Sequence, residues 1–160
     1  MPRVVIPDSH HPSLQFRYQV LSSKIPGAAI YARSAGQPSA DNAPVNVEHI
    51  NAYFKVKGKT RWNDITLTCY NFEGITAKEL WDYLNGSHQV VTSATDQYAP
   101  VYKHDMTVNI LAPDGTTPVA TWSLKGAFFS SVSWGDMDWG TDDVIQAEVV
   151  ISYDWADKVL

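Results

Sequence analysis

The chain has 160 residues, of which 44% are hydrophobic and 18% are charged, and its formal net charge is −5. This length predicts one domain, residues 1–160, with a core large enough to fold without a disulfide or a structural metal. The acidic balance argues against a protein that grips nucleic acid, because such proteins carry a basic surface. No run of 18 apolar residues occurs, so the sequence predicts no membrane span.

The N-terminal residues and the cysteine content bear on the compartment. The apolar residues 4–6 are followed at once by Pro7 and Asp8, and this run is too short for the core of a signal peptide. Cys69 is the single cysteine, so no internal disulfide can form. Together these features predict synthesis in a reducing cytoplasm.

The first predicted strand covers residues 14–20, where apolar and polar residues alternate. Residues 31–47 follow and show no periodicity, being rich in Ala, Ser, Pro, Asn and Asp. Connections of this length are uncommon in compact domains unless they are functional or disordered. The segment is therefore either a surface loop or an extended arm that orders against another subunit. Its candidate contact residues are Arg33, Ser34, Gln37, Asp41 and Asn42.

Two further alternating runs, residues 50–57 and 63–70, predict strands whose apolar faces lie in the core. Gly58 predicts the turn between them. Four basic residues alternate at the end of the first run, and a solvated hairpin is the simplest interpretation of them. These residues are Lys55, Lys57, Lys59 and Arg61.

One helix is predicted over residues 76–86. Thr76 and Glu79 have the spacing of a capping box, and Gly86 can end the helix in the left-handed conformation. A helix this short is stable only when its apolar stripe is buried, so we expect it to dock on a sheet. The side chains expected to dock it are Leu80, Trp81 and Leu84.

The last third of the chain again alternates. Pro113, Asp114 and Gly115 predict the turn of a hairpin over residues 105–125. Residues 128–134 are a further candidate strand, and residues 145–155 form the last one. The predicted fold is mainly β, an antiparallel β-sandwich or barrel with one short lateral α-helix.

The sequence offers no convergent set of catalytic or metal-ligating residues. The five histidines lack the spacing of a zinc site, and Cys69 lies on the apolar face of a predicted strand, which suits a small buried hydrophobe. The acidic stretch 136–143 does not fit an EF-hand, which leaves a polar turn, a subunit contact or a loose calcium site. We therefore predict no enzyme activity, no cofactor and no metal.

Two tryptophans flank this acidic stretch. Large aromatic residues often anchor interfaces, and a pair of them can also stack on a sugar, so a carbohydrate-binding β-sandwich is the main competing interpretation. The candidate contact residues here are Trp134, Asp136, Asp138 and Trp139.

The C-terminal third resembles a known family. Residues 122–128 (WSLKGAF) lead into residues 132–138 (VSWGDMD) and then into a strand that carries Val144 and Glu148. This order resembles the signature of the tube proteins of contractile phage tails. Gly58, the Ile-Thr-Leu-Thr strand at residues 65–68 and the helix resemble the family upstream, and the likeness covers residues 48–155.

The resemblance implies a structural subunit of the inner tail tube, with hexameric rings stacked into a hollow tube. It implies as partners the tail sheath, the baseplate or tube initiator, the tail terminator, a tape measure protein inside the tube and DNA that passes without specific binding. It also implies a location in the virion tail and assembly in the host cytoplasm. The tube proteins of type VI secretion and of phage-tail-like particles share this fold and are alternatives.

The channel of such a tube would be lined by polar strand faces. The candidate lining residues are Thr66, Thr68, Gln146, Glu148 and Ser152. The negative charge of the chain suits this role, because each neutralised phosphate would add affinity and slow the passage of DNA.

Overall fold

The chain forms antiparallel sheets with one long helix at their side, and its computed structural model describes residues 13–72, 74–89 and 95–160. The strands are β1 (Tyr18–Ser22), β2 (Ala32–Ala35), β3 (Ala40–His49), β4 (Ala52–Trp62), β5 (Ile65–Tyr70), β6 (His88–Gln89), β7 (Thr95–Asp96), β8 (His104–Leu111), β9 (Pro118–Ser133), β10 (Gln146–Ser152) and β11 (Trp155–Lys158). The helices are α1 (Ala28–Tyr31), α2 (Ile75–Ser87) and α3 (Ala99–Tyr102). The apolar residues 4–6 lie outside the described residues, and no described helix is long and apolar enough to cross a membrane.

The main sheet has seven strands and confirms the predicted antiparallel β fold. Six of them follow the order β1-β8-β9-β10-β5-β2, and β11 also pairs with β9. The two edge strands β1 and β2 approach each other, and the hydroxyl of Tyr18 donates a hydrogen bond to the carbonyl of Ala32 (3.1 Å). The sheet therefore curls towards a barrel that is open between its edges.

Strand β9 belongs to both halves of this sheet. Its first part pairs with β8 and β11, and its last part pairs with β10. Gly126 lies between the two parts with a φ of 64°, a left-handed conformation that only glycine adopts at little cost. The expected strands at 120–125 and 128–134 are thus one bent strand, and the expected strand at 145–155 is two, because β10 ends at Ser152 and β11 begins at Trp155.

Replacing Gly126 with alanine is expected to lower the free energy of unfolding. The new Cβ atom would collide with the carboxylate of Asp154, which forms an ion pair with Lys103 (2.8 Å). The positive φ at this position adds backbone strain. We expect a loss of about 1–3 kcal/mol in urea denaturation. Gly86→Ala is the control, because a Cβ there meets open space on a helix and should raise stability by up to about 1 kcal/mol. Equal values for the two variants would contradict the proposed role of Gly126.

The core lies between the two halves of the sheet and under α2. Alternate residues of β5 and β10 point into it, which confirms the expected apolar face of residues 65–69. The largest fully buried side chains are Ile25, Leu67, Leu80, Met106, Leu124, Val20, Val149, Thr76 and Cys69. The predicted hairpin over 105–125 is also confirmed, with Gly115 at a φ of 73° in its turn.

The turn of that hairpin is held by Asp114. Its carboxylate accepts hydrogen bonds from the backbone N–H groups of Thr116 and Thr117 (both 3.0 Å) and from the Thr117 hydroxyl. These bonds, led by that of the hydroxyl, lower the pKa of Asp114 to about 2.

Helix α2 docks on the sheet through one side. Leu80 is fully buried, Leu84 packs against the core, and the Tyr83 hydroxyl donates to the carbonyl of Tyr102 (2.9 Å). Trp81 is 45% exposed, so the expectation that it docks the helix is wrong. Trp155, at the end of the last predicted strand, is also half-exposed, at 49%.

The predicted caps of α2 are wrong. The helix begins at Ile75 after Gly74, which adopts a left-handed φ of 75°. Thr76 therefore lies inside the helix, and its hydroxyl donates to the carbonyl of Tyr70 (3.0 Å). The Glu79 carboxylate accepts from the backbone N–H of Gly27 (3.2 Å), so each side chain fixes α2 to another segment. Gly86 is a helical residue, because α2 continues to Ser87.

His104 is half-buried where α2, β1, β8 and β9 meet. Its Nδ1 donates to the carbonyl of Tyr102 (3.3 Å), and its Nε2 lies 3.0 Å from the hydroxyl of Ser22. The rings of Tyr83 and Phe129 pack at 5.9 and 5.4 Å from it. Burial, together with Lys24, lowers the pKa of His104, against weaker opposing effects of the Tyr102 carbonyl and Asp105.

This environment predicts a pH dependence of stability. Because the pKa of His104 is lower in the folded chain than the ordinary value of about 6.5, the unfolded chain binds more protons as the pH falls below that value. The contribution of neutral His104 to the free energy of unfolding is thus present above about pH 6.5 and is lost on acidification. In urea denaturation between pH 7.5 and 5, the free energy of unfolding should fall more steeply with acidification for the native chain than for His104→Gln. Parallel curves would contradict this, and His49→Gln on the exposed hairpin is the matched control.

Candidate assembly interface

Strands β3 and β4 form a two-stranded hairpin that is separate from the main sheet. The expectation of a segment without regular structure over 31–47 is therefore wrong, since β2 and most of β3 lie there. All ten residues of β3 are exposed, as are all of β4 except Gly58 and Trp62. Strands of this length give a hairpin roughly 30–35 Å long. Its base is closed by a hydrogen bond from the N–H of Asn63 to the carbonyl of Ser39 (2.9 Å).

Gly58 lies inside β4, so the turn predicted at this residue is wrong. The register shifts between Asn42 and Pro44, which places Gly58 and Lys59 of β4 opposite Ala43 alone. This is a β-bulge, and a Cβ atom on Gly58 would collide with the carbonyl of Ala43. Glycine is thus required here for close backbone approach within the hairpin, and the turn is at residues 50–51.

One face of the hairpin is apolar and has no cover within the described residues. Val47 pairs with Phe54 and Val45 pairs with Val56, and directly paired residues share a face. All four side chains are exposed, Phe54 to 56%. Contiguous exposed apolar surface marks an interaction site, and a hairpin of two strands is only marginally stable by itself. This face is therefore the strongest candidate interface of the protein.

The tip of the hairpin carries a second sign of the same kind. Ile50 has a φ of 40° and is 92% exposed. A positive φ at the first turn position favours glycine, and a β-branched residue is strained there. Such a conflict between residue and conformation is typical of functional sites.

The opposite face of the hairpin is basic. Lys55 pairs with Asn46, Lys57 pairs with Pro44, and Tyr53 lies beside them opposite Glu48. The bulge moves Arg61 to the other face, where it pairs with Asp41. The four basic residues of the sequence are thus divided between the two faces.

The five candidate channel residues lie together on one side of the main sheet. Glu148 pairs with Thr68 and flanks Ser133 of β9, and Val150 pairs with Thr66. Gln146 and Ser152 continue this face along β10, and the Ser152 hydroxyl donates to the carboxylate of Asp64 (2.8 Å). The residues between them point into the core, so the sheet has one polar and one apolar side.

Arg33 and Ser34 belong to this polar face and not to the hairpin. Ser34 pairs with Thr68, and the Arg33 guanidinium donates to the side-chain carbonyl of Gln146. Gln37 follows in the connection to β3 and lines a cleft of about 720 Å³ between β1 and β2. Asp41 and Asn42 lie at the hairpin base, where Asn63 donates to Asp41 (2.9 Å) and Thr60 donates to Asn42 (2.7 Å). The expected arm residues are therefore divided among three places.

Cys69 lies directly beneath the polar face and is fully buried. Burial raises the pKa of its thiol to about 11, and the nearby carboxylate of Glu79 adds to the effect. A thiol with so high a pKa is a poor nucleophile, so the side chain serves packing. Among the described residues, no group of three or more His, Cys, Asp and Glu side chains could hold a metal ion.

The acidic loop is the segment 134–145 between β9 and β10. Trp134 anchors its start, because its indole N–H donates to the carbonyl of Ala77 (3.3 Å) and its ring lies 6.4 Å from that of Trp81. Asp138 accepts from the N–H of Gly140 (2.9 Å) and from the Thr141 hydroxyl, which tightens the loop. Trp139 is fully exposed, and the loop surrounds a concavity of about 700 Å³.

The fold is that of tubes in contractile injection systems. The chain is similar to a chain in the PVC sheath–tube complex, an extracellular contractile injection system (21% identity, 94% and 93% of the two chains, TM-score 0.73). It is also similar to a chain in the PVC sheath/tube terminator (22% identity over 95% of this chain and 99% of the other, TM-score 0.76). A third similar chain is Hcp1 from Flavobacterium johnsoniae (14% identity over 90% of this chain and 95% of the other, TM-score 0.53). Among curated proteins, none matches the chain.

The family follows from the sequence match. The model of the T4-like virus tail tube protein gp19 matches residues 15–156. The chain therefore belongs to the T4-like tail tube family, which confirms the resemblance seen in its sequence.

The sequence pattern does not identify the hairpin face formed by Val45, Val47, Phe54 and Val56 as an interface. The alternation of Phe54 and Val56 predicts a core-facing strand, because alternation reports burial without showing which molecule provides the cover. Val45 and Val47 lie in residues 31–47, for which the sequence predicts no periodic structure. A signal was present, since apolar residues alternate on both sides of Ile50 and Asn51, as in a hairpin.

Proposed function

We propose that the protein is the structural subunit of the inner tube of a contractile tail, where it forms hexameric rings that stack into a hollow channel. The observation that carries this proposal is the uncovered apolar face of the β3–β4 hairpin. A tube subunit needs such a face, because it must bury surface against copies of itself. The role requires no catalytic residue.

Within a ring, the hairpin packs its apolar face on a neighbouring subunit. The edge strands β1 and β2 offer unpaired backbone groups on their outer sides, and such edges invite pairing with another chain. A closed ring satisfies these edges without leaving a free one, and strands of adjacent subunits then form a continuous barrel.

The polar face of the main sheet lines the channel. Hydroxyl, amide and carboxylate side chains surround Val150 on this face, which presents no row of cations to a polymer in transit. Arg33 is engaged by Gln146, and Glu148 and Asp64 add negative charge. We propose DNA as the polymer, since a weakly negative wall lets a polyanion pass without binding it.

The proposed partners are those of a tail tube. They are the tail sheath outside, the baseplate or tube initiator at one end, the terminator at the other and a tape measure protein inside. The solved relatives in a sheath–tube complex and a terminator complex support the sheath and terminator contacts. The proposed location is the virion tail, after assembly in the host cytoplasm.

A tail-like injection particle is the second candidate, in which the channel carries an effector in place of DNA. The similarity to chains of extracellular contractile injection systems favours it. The likeness to Hcp1 extends the same fold to type VI secretion, at a lower TM-score. A carbohydrate site on Trp134 and Trp139 is not proposed, because the ring of Trp134 packs against Trp81.

Electron microscopy with sedimentation tests the proposal. The purified chain, alone or co-expressed with its sheath and baseplate proteins, should give six-fold rings or hollow tubes. A chain that stays monomeric under every one of these conditions would overturn the tube role. Nuclease treatment of isolated particles, followed by analysis of the protected contents, then separates DNA from an effector as the transported polymer.

A further inference from the structure

The basic face of the hairpin, defined by Tyr53, Lys55 and Lys57, has no use in the packing described above. Within the described residues, neither lysine forms an ion pair. The nearest cross-strand residues of the two lysines are Asn46 and Pro44, which carry no charge. The face therefore presents two cations that form no ion pair beside the exposed ring of Tyr53, with the single anion Glu48 opposite that ring.

The acidic loop has the complementary composition. Four carboxylates lie within eight residues, and two of them, Asp136 and Asp142, have no hydrogen bond or ion pair among the described residues. Asp138 and Asp143 accept hydrogen bonds only from their own loop. Trp139 projects fully into solvent between these charges, and Met137 is exposed beside it.

We propose that the basic face of the hairpin in one copy binds the acidic loop of a second copy, and this rests on the proposed tube function. Two cations meet a loop that carries four anions, which gives electrostatic complementarity across the contact. The Trp139 ring can pack on Tyr53 and on the aliphatic parts of the two lysines, with cation–π attraction to their ammonium groups.

This contact is heterologous, because it joins two different surfaces of the same chain. Heterologous contacts repeat from copy to copy and build rings or open stacks. The hairpin is then covered on both faces by copies of the chain, the apolar face by one neighbour and the basic face by the acidic loop of another. The docking surface is the hairpin face, and its occupant is the loop.

Charge exchange tests the pairing in the full-length protein. Lys55→Glu with Lys57→Glu, and separately Asp136→Lys with Asp142→Lys, should each raise the concentration needed for assembly about tenfold or more. The first pair sets anions against the acidic loop. The second sets two lysines of the loop against the hairpin lysines and leaves only two carboxylates beside them, which removes the net negative charge of the loop. Asp136 and Asp142 are chosen because they hold no bond within the loop. Lys78→Glu with Lys158→Glu makes the same charge change elsewhere and should assemble like the native chain.

Restoration is the decisive result. A chain with all four substitutions should assemble again, and an equal mixture of the two double variants should form joint tubes that neither forms alone. Native-like assembly of the hairpin variant would overturn the proposal and leave that face to a different molecule. If both double variants lost assembly and the chain with all four substitutions did not regain it, the proposal would be overturned as well. A native chain that never assembles would instead refute the tube function, so the two failures are distinguishable.

Discussion

Replacement of residues 43–59 by the two residues Asn-Gly is expected to abolish tube formation and to leave the body folded. The new turn joins Asn42 and Thr60, which already pair across the hairpin, and a two-residue loop suits that geometry. The hydrogen bonds at the hairpin base and the packing of Trp62 on Tyr153 are retained. The loss of assembly follows from removal of both hairpin faces.

Three measurements check this result. Urea denaturation should give a free energy of unfolding close to that of the native chain, because the hairpin shares no strand pairing with the main sheet. Sedimentation and electron microscopy should show a monomer and no tubes. Phe54→Ser with Val45→Ser keeps the hairpin and should reproduce the defect. Native-like tubes from the shortened chain would refute the hairpin interface.

Leu80→Ala is expected to produce the largest loss of stability among single substitutions in α2. Leu80 lies on the inner side of α2 and is fully buried, so its truncation would leave a cavity between α2 and the sheet. Such substitutions lower the free energy of unfolding by about 2–5 kcal/mol. Chemical denaturation followed by tryptophan fluorescence measures this loss directly, because Trp81 is adjacent in sequence.

Trp81→Ala is the matched control on the same helix. The side chain is larger than leucine but lies half in solvent against Trp134. Its truncation should therefore cost less than that of Leu80, about 1 kcal/mol as for typical substitutions. A greater loss for Trp81→Ala would restore the docking role that the sequence suggested for this residue. Circular dichroism should replace tryptophan fluorescence for this variant.

The sequence predicted the strands of the main sheet because their burial is decided within the chain. Residues 65–70 and 146–152 alternate, and one side of each strand lies in the core. The turn at Gly115 could also be predicted, since its own residues define the turn type. The caps of α2 could not be predicted, because Thr76 and Glu79 form their hydrogen bonds outside the helix. Thr76 bonds to Tyr70 at the end of β5, and Glu79 bonds to Gly27, which is distant in sequence.

The hairpin at residues 40–62 shows where sequence reasoning reached its limit. Alternation in residues 52–56 predicted a strand correctly and its surroundings wrongly, because a face that is covered by another subunit has the same pattern as a core face. Gly58 predicts a turn by its residue type, although its role is to permit a bulge inside a strand. The polar composition of β3 shows no strand pattern, because pairing with β4 and not burial within the chain defines this strand.

The isolated hairpin has a consequence for the kinetics of growth. Since two strands alone hold their shape weakly, a free subunit of the proposed tube would complete the ordering of this hairpin only as a neighbour covers it. The first subunits to meet lose this conformational entropy before enough contacts exist to offset it, which raises the barrier to nucleation. Addition to an existing end meets a surface that is already ordered. In the proposed tube, a concentrated pool of subunits would thus be restrained from spontaneous polymerisation, and growth would be directed to a template.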